Sequence, residues 1–210
     1  MSGQALDKTG RRGLRDSARF LKSLVATPRL TGAVAPSGRA LARAMAAAAG
    51  APPHGLVIEL GPGTGPVTRS LIDAGLPPER LVLVEYDKAF CRMLESRFDD
   101  IRVIQGDAYD LPRTLAPFTG QPIAAVVSSL PLLNQPPPRR TQLIADAFAL
   151  MGPLGVFVQF TYGLQSPIPR DARANLYSAI RSKPILLNLP PAFVWTYRLD
   201  QRSADAAKGQ

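Results

Sequence analysis

A glycine-rich turn that follows an apolar run is the feature that most constrains the fold of this chain. Leu56-Val57-Ile58 lead into Glu59-Leu60-Gly61-Pro62-Gly63-Thr64-Gly65, and a helical pattern begins at Pro66. This order lets a nucleotide-like ligand lie against bare backbone at the carboxyl end of a buried strand. The dinucleotide fingerprint G-x-G-x-x-G would need a glycine where this chain has Pro66. The spacing therefore favours S-adenosylmethionine over NAD, although a turn alone is equally compatible with a tight connection that binds nothing.

Acidic residues follow the next two predicted strands. Leu81-Val82-Leu83-Val84 ends at Glu85, and 101–104 is followed by Gly106-Asp107-Ala108. The first acid can accept hydrogen bonds from vicinal ribose hydroxyls, and the second can accept from an adenine amino group. Each could instead be an ordinary turn or cap residue. Three successive strand ends with this chemistry predict an adenosyl-cofactor site. Its predicted residues are Glu59, Gly61, Pro62, Gly63, Thr64, Gly65, Glu85, Tyr86, Gly106, Asp107, Ala108 and Ser128.

Strands and helices alternate through the rest of the chain, which is typical of a parallel sheet covered on both faces. We expect further strands at 123–128 and 155–161, a helix over 172–181, and a closing hairpin of 185–189 with 193–199. These elements predict an α/β, Rossmann-like fold with a mostly parallel seven-stranded sheet and an antiparallel C-terminal hairpin.

Positive charge is concentrated at the N-terminus. Residues 1–50 hold nine basic and two acidic residues, so they carry +7 of the net charge of +9. Residues 14–25 place apolar side chains on one helical face beside a basic face. Such a helix either packs on the domain or lies on an anionic membrane, and both readings stay open. The predicted membrane contacts are Arg15, Arg19, Phe20, Leu21, Lys22 and Leu24.

Composition excludes several other classes. The 210 residues suffice for one fairly large domain. One cysteine, Cys91, and one histidine, His54, provide neither an intramolecular disulfide nor a usual zinc site, so we expect a reducing cytoplasm and no metal. No apolar run reaches the roughly 18 residues of a membrane span, and no signal-peptide pattern opens the chain.

The motifs together resemble the class I S-adenosylmethionine-dependent methyltransferases, and more narrowly the bacterial phosphatidylethanolamine N-methyltransferases, a branch related to the rRNA adenine dimethylases. The resemblance implies the Rossmann-like class I methyltransferase fold with added N-terminal helices. We expect a basic, helical extension over 1–50, a methyltransferase domain over 51–200 and a polar tail over 201–210. The segments that carry the resemblance are Phe20-Leu21, Thr31-Gly32-Ala33, Pro36-Ser37, Glu59 to Gly65, Val84 to Asp87, Gly106 to Ala108, Ser129 to Asn134 and Phe160 to Gly163.

The segment after the fourth strand bears on the methyl acceptor. In related adenine methyltransferases it resembles Asn/Asp-x-Pro-Tyr/Phe, in which the aromatic ring stacks on the base. Here it is Ser129-Leu130-Pro131-Leu132, and leucine offers no comparable stacking platform. The departure favours a headgroup amine flanked by apolar groups over a flipped-out nucleobase.

The resemblance implies in-line attack of a neutral amine on the sulfonium methyl, so that catalysis is mostly alignment and desolvation. The base could be a lipid phosphate, water or a side chain. Each tyrosine could instead be a core aromatic, and each arginine a solvated surface residue. The predicted catalytic residues are Tyr177, Ser129, Leu130 through its carbonyl, and Asn134; the predicted substrate-binding residues are Tyr162, Arg170, Arg173 and Arg139.

We therefore expect a phospholipid N-methyltransferase that converts phosphatidylethanolamine and its methylated intermediates toward phosphatidylcholine and releases S-adenosylhomocysteine. We expect a monomer that is cytoplasmic, is peripherally associated with the inner membrane, and binds phospholipid and an anionic membrane surface but no nucleic acid. RNA adenine methylation and a non-catalytic cofactor-binding protein at the membrane surface remain the alternatives.

Overall fold

The computed structural model describes residues 36–169, 177–188 and 190–200. The predicted basic helix of residues 14–25, the arginines at 170 and 173, and the polar tail lie outside these ranges. No helix in the described ranges is long and apolar enough to cross a membrane.

Seven strands among the described residues form one sheet in the order β3-β2-β1-β4-β5-β7-β6. The first five run parallel, and β7 is antiparallel to both β5 and β6. This confirms the predicted mostly parallel sheet with an antiparallel C-terminal pair. The strands are β1 Leu56–Leu60, β2 Leu81–Glu85, β3 Arg102–Gln105, β4 Ile123–Ser128, β5 Val156–Thr161, β6 Tyr177–Arg181 and β7 Phe193–Leu199.

Helices cover both faces of this sheet, because successive strand side chains point to opposite sides. One buried cluster joins Ile58, Val126 and Phe157 to residues of α5, and a second joins Val57 and Val127 to residues of α1 and α2. The helices are α1 Pro36–Ala49, α2 Pro66–Asp73, α3 Lys88–Arg97, α4 Leu111–Thr114 and α5 Pro137–Met151, with 3₁₀ turns at Pro78–Arg80, Ala116–Phe118 and Leu132–Asn134.

The C-terminal pair differs from its prediction in the identity of one strand. We predicted a helix over 172–181, but its described end, Tyr177–Arg181, is strand β6. The partner of β7 is therefore this segment rather than 185–189, from which only Ile185 forms an isolated bridge, with Ala192. Pairing with β7 provides hydrogen-bond partners along one side of the Tyr177–Arg181 backbone, and this long-range hydrogen bonding outweighs the local helical pattern.

Candidate active site

Three glycines shape the turn after β1. Gly61, Gly63 and Gly65 all have positive φ, at 66°, 56° and 81°. A Cβ atom on Gly61 would lie 2.9 Å from Leu130 Cδ2, and one on Gly65 would lie 2.6 Å from Phe98 Cε2. A Cβ atom on Gly63 would meet nothing within 4 Å. The outer two glycines therefore permit close packing, whereas the middle one borders open space that a ligand can occupy.

Glu85 fastens this turn to the end of β2. Its Oε2 accepts from the Gly63 N–H at 3.1 Å, and its Oε1 accepts from the N–H groups of Tyr86 at 2.8 Å and Asp87 at 2.9 Å. The side chain is largely buried, while Tyr86 beside it is 66% exposed. A carboxylate held in this way beside an open glycine is preorganised to accept hydrogen bonds from ribose hydroxyls.

Asp107 follows β3 and lies against an arginine. Its Oδ1 accepts from the Tyr109 N–H at 2.8 Å, and its Oδ2 lies 3.5 Å from Arg139 Nη2. The Arg139 guanidinium lies 4.4 Å from the centre of the Tyr109 ring. Arg139, which we predicted to bind substrate, thus lies beside the predicted adenine acid. Burial raises the pKa of Tyr109, a residue that the sequence did not single out.

Glu59 is the most perturbed acid of the site. It is fully buried, its Oε2 accepts from the Thr68 hydroxyl at 2.7 Å, and its Oε1 has no hydrogen-bond partner among the described residues. Desolvation, opposed by the Thr68 hydrogen bonds and reinforced by the nearby Glu85 charge, raises the pKa of Glu59 to about 8. A buried, unpartnered carboxylate oxygen at a strand end suits a cationic ligand group.

The raised pKa of Glu59 predicts a pH-dependent stability. The folded protein keeps a proton that the unfolded chain releases near pH 4.5, so this contribution is full below that pH and is lost as the pH rises toward 8. Urea unfolding of the cofactor-free protein should show a decline on the order of 1 kcal/mol per pH unit between these limits. Glu59→Gln, which cannot ionise, should lack this slope. Parallel profiles for the two proteins would contradict the assignment.

The segment after β4 contains the predicted catalytic residues Ser129, Leu130 and Asn134. Ser128 is fully buried, and the Ser129 N–H donates to the Leu60 carbonyl at 2.9 Å, which holds this segment beside the glycine turn. The Leu130 carbonyl, predicted to accept from the amine, already accepts from Gln159 Nε2 at 2.9 Å. The sequence did not single out Gln159, although a glutamine inside the apolar strand Val156–Thr161 was the available signal.

The remaining predicted residues separate in the structure. Asn134 ends the 3₁₀ turn after β4, and Tyr162 follows β5, where its ring lies 5.5 Å from that of Phe160. Both therefore lie at the carboxyl edge of the sheet. Tyr177 pairs with Leu199 and packs on Phe148 near the other edge, which does not support a role as catalytic base. The sequence did not indicate that Tyr177 lies away from Asn134 and Tyr162 in this sheet.

The described residues fit an adenosyl cofactor. The open space beside Gly63, the anchored carboxylate of Glu85 and the unpartnered buried oxygen of Glu59 lie at adjoining strand ends. The space beside Gly63 can admit the ligand, Glu85 can bind its ribose, and Glu59 can lie against a positive charge. Gly106, which follows β3, is closely packed, because a Cβ atom there would lie 2.5 Å from Thr114 Cγ2.

Comparison with known proteins agrees with this geometry. Residues 57–155 match the family described as Methyltransferase domain. An ornithine lipid N-methyltransferase from Singulisphaera acidiphila is 34% identical over 109 residues, which are 50% of this chain and 57% of the relative. A Ribosomal RNA small subunit methyltransferase A from Synechococcus sp. is 42% identical over 59 residues, which are 27% of this chain and 20% of that relative. The chain thus spans little more than half the length of the first relative and a fifth of the second.

The fold has a counterpart among solved structures. A TehB-like S-adenosylmethionine-dependent methyltransferase from Corynebacterium glutamicum superposes with a TM-score of 0.58 at 14% identity, covering 89% of this chain and 99% of that one. At this identity the likeness concerns the fold. Residues 57–155 are thus similar to a methyltransferase domain, and the described residues have the Rossmann-like fold of S-adenosylmethionine-dependent methyltransferases.

Proposed function

We propose that this protein is a lipid N-methyltransferase that transfers methyl groups from S-adenosylmethionine to the amine of phosphatidylethanolamine and its methylated intermediates. The observation that carries the proposal is the character of a cavity between the start of α5 and the loop that follows β5. It has a volume of about 470 Å³, and its described lining includes Leu133, Leu164, Gln165, Ser166 and Arg140 but no aromatic side chain. Largely apolar walls with one cation suit a lipid that carries an anionic group better than a stacked nucleobase. The relative named for ornithine lipid supports the same class of acceptor.

The cofactor, when bound, supplies an electrophilic methyl group on a sulfonium. Glu85 would hold the ribose, Asp107 the adenine, and Glu59 a positive charge of the cofactor. Leu130 and Leu132 are both buried at the end of β4, so they exclude water from the acceptor side. Ser129 and Asn134 are the side chains of this segment that can accept a proton or a hydrogen bond from the amine. The proposed contribution of the protein is therefore to align the cofactor with the amine and to exclude water.

Arg140 is the candidate anchor for the anionic group of the acceptor. Its Nη1 donates to the Pro167 carbonyl at 2.7 Å, and its Nε is buried with no hydrogen-bond partner among the described residues. The helix α5 begins with Pro137 and Pro138, which have no N–H groups to offer an anion. A phosphate or carboxylate in this cavity would therefore depend on the arginine side chain.

Arg140→Gln is expected to lower kcat/KM for the lipid about 10- to 100-fold, because one charge-assisted hydrogen bond to the anion is lost. The dissociation constant for S-adenosylmethionine should stay at the wild-type value. Arg140→Lys keeps the charge and should recover part of the loss. Equal losses in cofactor affinity and lipid turnover would remove Arg140 from the acceptor site.

Transfer of label from S-adenosylmethionine carrying a radioactive methyl group tests the function itself. Phosphatidylethanolamine, its monomethyl and dimethyl derivatives, an ornithine lipid and ribosomal RNA would be offered separately and the products resolved by chromatography. Label in phosphatidylethanolamine supports the proposal, and label only in the ornithine lipid would move the acceptor to another lipid amine. Label only in RNA would establish the alternative that the rRNA relative suggests. Cofactor binding without any transfer would favour the non-catalytic reading.

We also propose that the protein works at the cytoplasmic surface of the inner membrane, which its basic N-terminal residues Arg15, Arg19 and Lys22 would contact. A membrane-bound acceptor requires such an encounter, because the headgroup amine lies at the bilayer surface. The prediction of a monomer belongs to the same proposal.

A further inference from the structure

The turn between β6 and β7 exposes two leucines at its tip. The Asn188 N–H donates to the Ile185 carbonyl at 3.1 Å, which closes a four-residue turn with Leu186 and Leu187 at its central positions. The Ile185 N–H donates to the Ala192 carbonyl at 2.8 Å at the base of the loop. Leu186 is 73% exposed and Leu187 is 75% exposed. Central turn positions are usually taken by Gly, Pro, Asn, Asp or Ser, so adjacent leucines here have no local structural reason.

The turn lies at the same edge of the sheet as the acceptor cavity. Arg181, the last residue of β6, pairs with Trp195, and Phe193 at the start of β7 pairs with Thr161 at the carboxyl end of β5. Arg181 Nη1 also donates to the Leu164 carbonyl at 2.6 Å, which links the turn to a loop that lines the cavity. Leu164 in that loop is 70% exposed. The two exposed leucines of the turn therefore lie at the same edge of the sheet as the proposed acceptor cavity.

Charge divides this edge into two halves. The ends of β1 to β3 bear acidic residues, among them Glu59, Glu85 and Asp107. No Asp or Glu occurs among the described residues that follow β4, β5 and β6, which are 129–136, 162–169, 182–188 and 190–192. Arg181 and Lys183, by contrast, lie close in sequence to Leu186 and Leu187. Exposed apolar side chains flanked by cations and free of acids match the interface of an anionic bilayer.

We infer that Leu186 and Leu187 insert into the membrane interface and that Arg181 and Lys183 contact anionic lipid headgroups, so that the acceptor cavity opens onto the bilayer. This surface, the leucine turn, includes none of the membrane contacts that the sequence predicts within residues 14–25. The inference rests on the proposed lipid substrate, and it adds the orientation in which the catalytic domain meets that substrate.

Flotation of the full-length protein with vesicles of equal parts phosphatidylethanolamine and phosphatidylglycerol tests the leucine turn. The double variant Leu186→Ser/Leu187→Ser should bind about 10-fold or more weakly than wild type, because two exposed apolar side chains no longer enter the interface. The matched control is Leu154→Ser, since Leu154 is 80% exposed but precedes β5 at the opposite edge of the sheet. This control should bind like wild type. Equal binding by all three proteins would overturn the inference unless residues 14–25 hold the protein on the vesicles by themselves.

Fluorescence quenching decides that case. In Leu187→Trp, phospholipids brominated on their acyl chains should quench the added tryptophan beyond the Trp195 background of wild type, and Leu154→Trp should show no added quenching. Absence of added quenching at position 187 on vesicle-bound protein would overturn the inference. A change of oligomeric state in the double variant, measured by analytical ultracentrifugation, with unchanged vesicle binding would show that the leucines contact another protein copy instead.

The two proposals fail in distinguishable ways. If wild type methylates no lipid, the proposed function fails, while flotation and quenching still report on membrane docking. If the double variant methylates vesicle lipid and binds vesicles as wild type does, and position 187 shows no added quenching, docking fails while the proposed function stands. We expect the double variant to lose turnover on vesicle lipid and to keep the wild-type turnover on short-chain phosphatidylethanolamine below its micelle concentration.

Discussion

Glu85→Ala is expected to weaken binding of S-adenosylmethionine about 100-fold, because hydrogen bonds from two ribose hydroxyls to one carboxylate contribute on the order of 3 kcal/mol. The variant also removes the hydrogen bond that Glu85 Oε2 accepts from the Gly63 N–H at 3.1 Å, so the open side of the turn is no longer held to β2. Isothermal titration calorimetry with S-adenosylmethionine and S-adenosylhomocysteine measures both affinities.

Asp87→Ala provides the matched control for Glu85. Asp87 lies two residues away, but its Oδ1 accepts from the N–H groups of Ala89 and Phe90 and so caps helix α3. Its loss should cost about 1 kcal/mol of stability and leave the cofactor affinity at the wild-type value. Wild-type affinity in Glu85→Ala, or an equal decrease in both variants, would show that Glu85 is not a ribose ligand.

Gly65→Ala is expected to lower the free energy of unfolding by about 3 kcal/mol or more, the largest loss of stability that we predict for a substitution. The left-handed backbone at φ 81° disfavours any side chain, and the new Cβ atom would lie 2.6 Å from Phe98 Cε2 and 3.2 Å from Leu94 Cδ2. Both neighbours are buried, so neither can move without disturbing the packing of α3 on the sheet. Urea unfolding at one pH measures the change.

Gly63→Ala separates strain from packing at the same turn. Its φ of 56° carries a similar backbone penalty, but its Cβ atom would meet nothing within 4 Å. We therefore expect a loss of only about 1 kcal/mol in stability, together with weakened cofactor binding because the methyl group enters the ligand space. Gly75→Ala, at φ 94° and also without neighbours, should show the strain alone. Equal destabilisation at positions 63 and 65 would contradict the packing argument.

The cofactor side of the site was largely predictable because its signals are local. Gly61, Gly63 and Glu85 each follow an apolar strand directly, and parallel strands bring their carboxyl ends to one edge whatever the details of packing. Neither the unpartnered oxygen of Glu59 nor its raised pKa was predictable, since both depend on how completely Thr68 and the surrounding core exclude water.

The acceptor side was less predictable because its contacts join distant segments. Arg139 lies beside Asp107, 32 residues away, and Gln159 donates to the Leu130 carbonyl across 29 residues. Tyr177 packs with Phe148 at 5.7 Å between ring centroids, far along the chain from the segments that we grouped with it. Spacing in a sequence does not reveal such contacts, because they depend on how the intervening helices and strands pack.

The chain's local patterns by themselves determined the first five strands, the glycine turn and the acids at three strand ends, because period and turn chemistry act between near neighbours. Only the tertiary structure decided that β6 rather than 185–189 pairs with β7, that Arg140 rather than Arg139 lines the cavity proposed for the acceptor, and that Leu186 and Leu187 lie at an exposed turn. The physical reason is that these outcomes depend on backbone pairing and burial between segments far apart in sequence, whose free energy exceeds local preference.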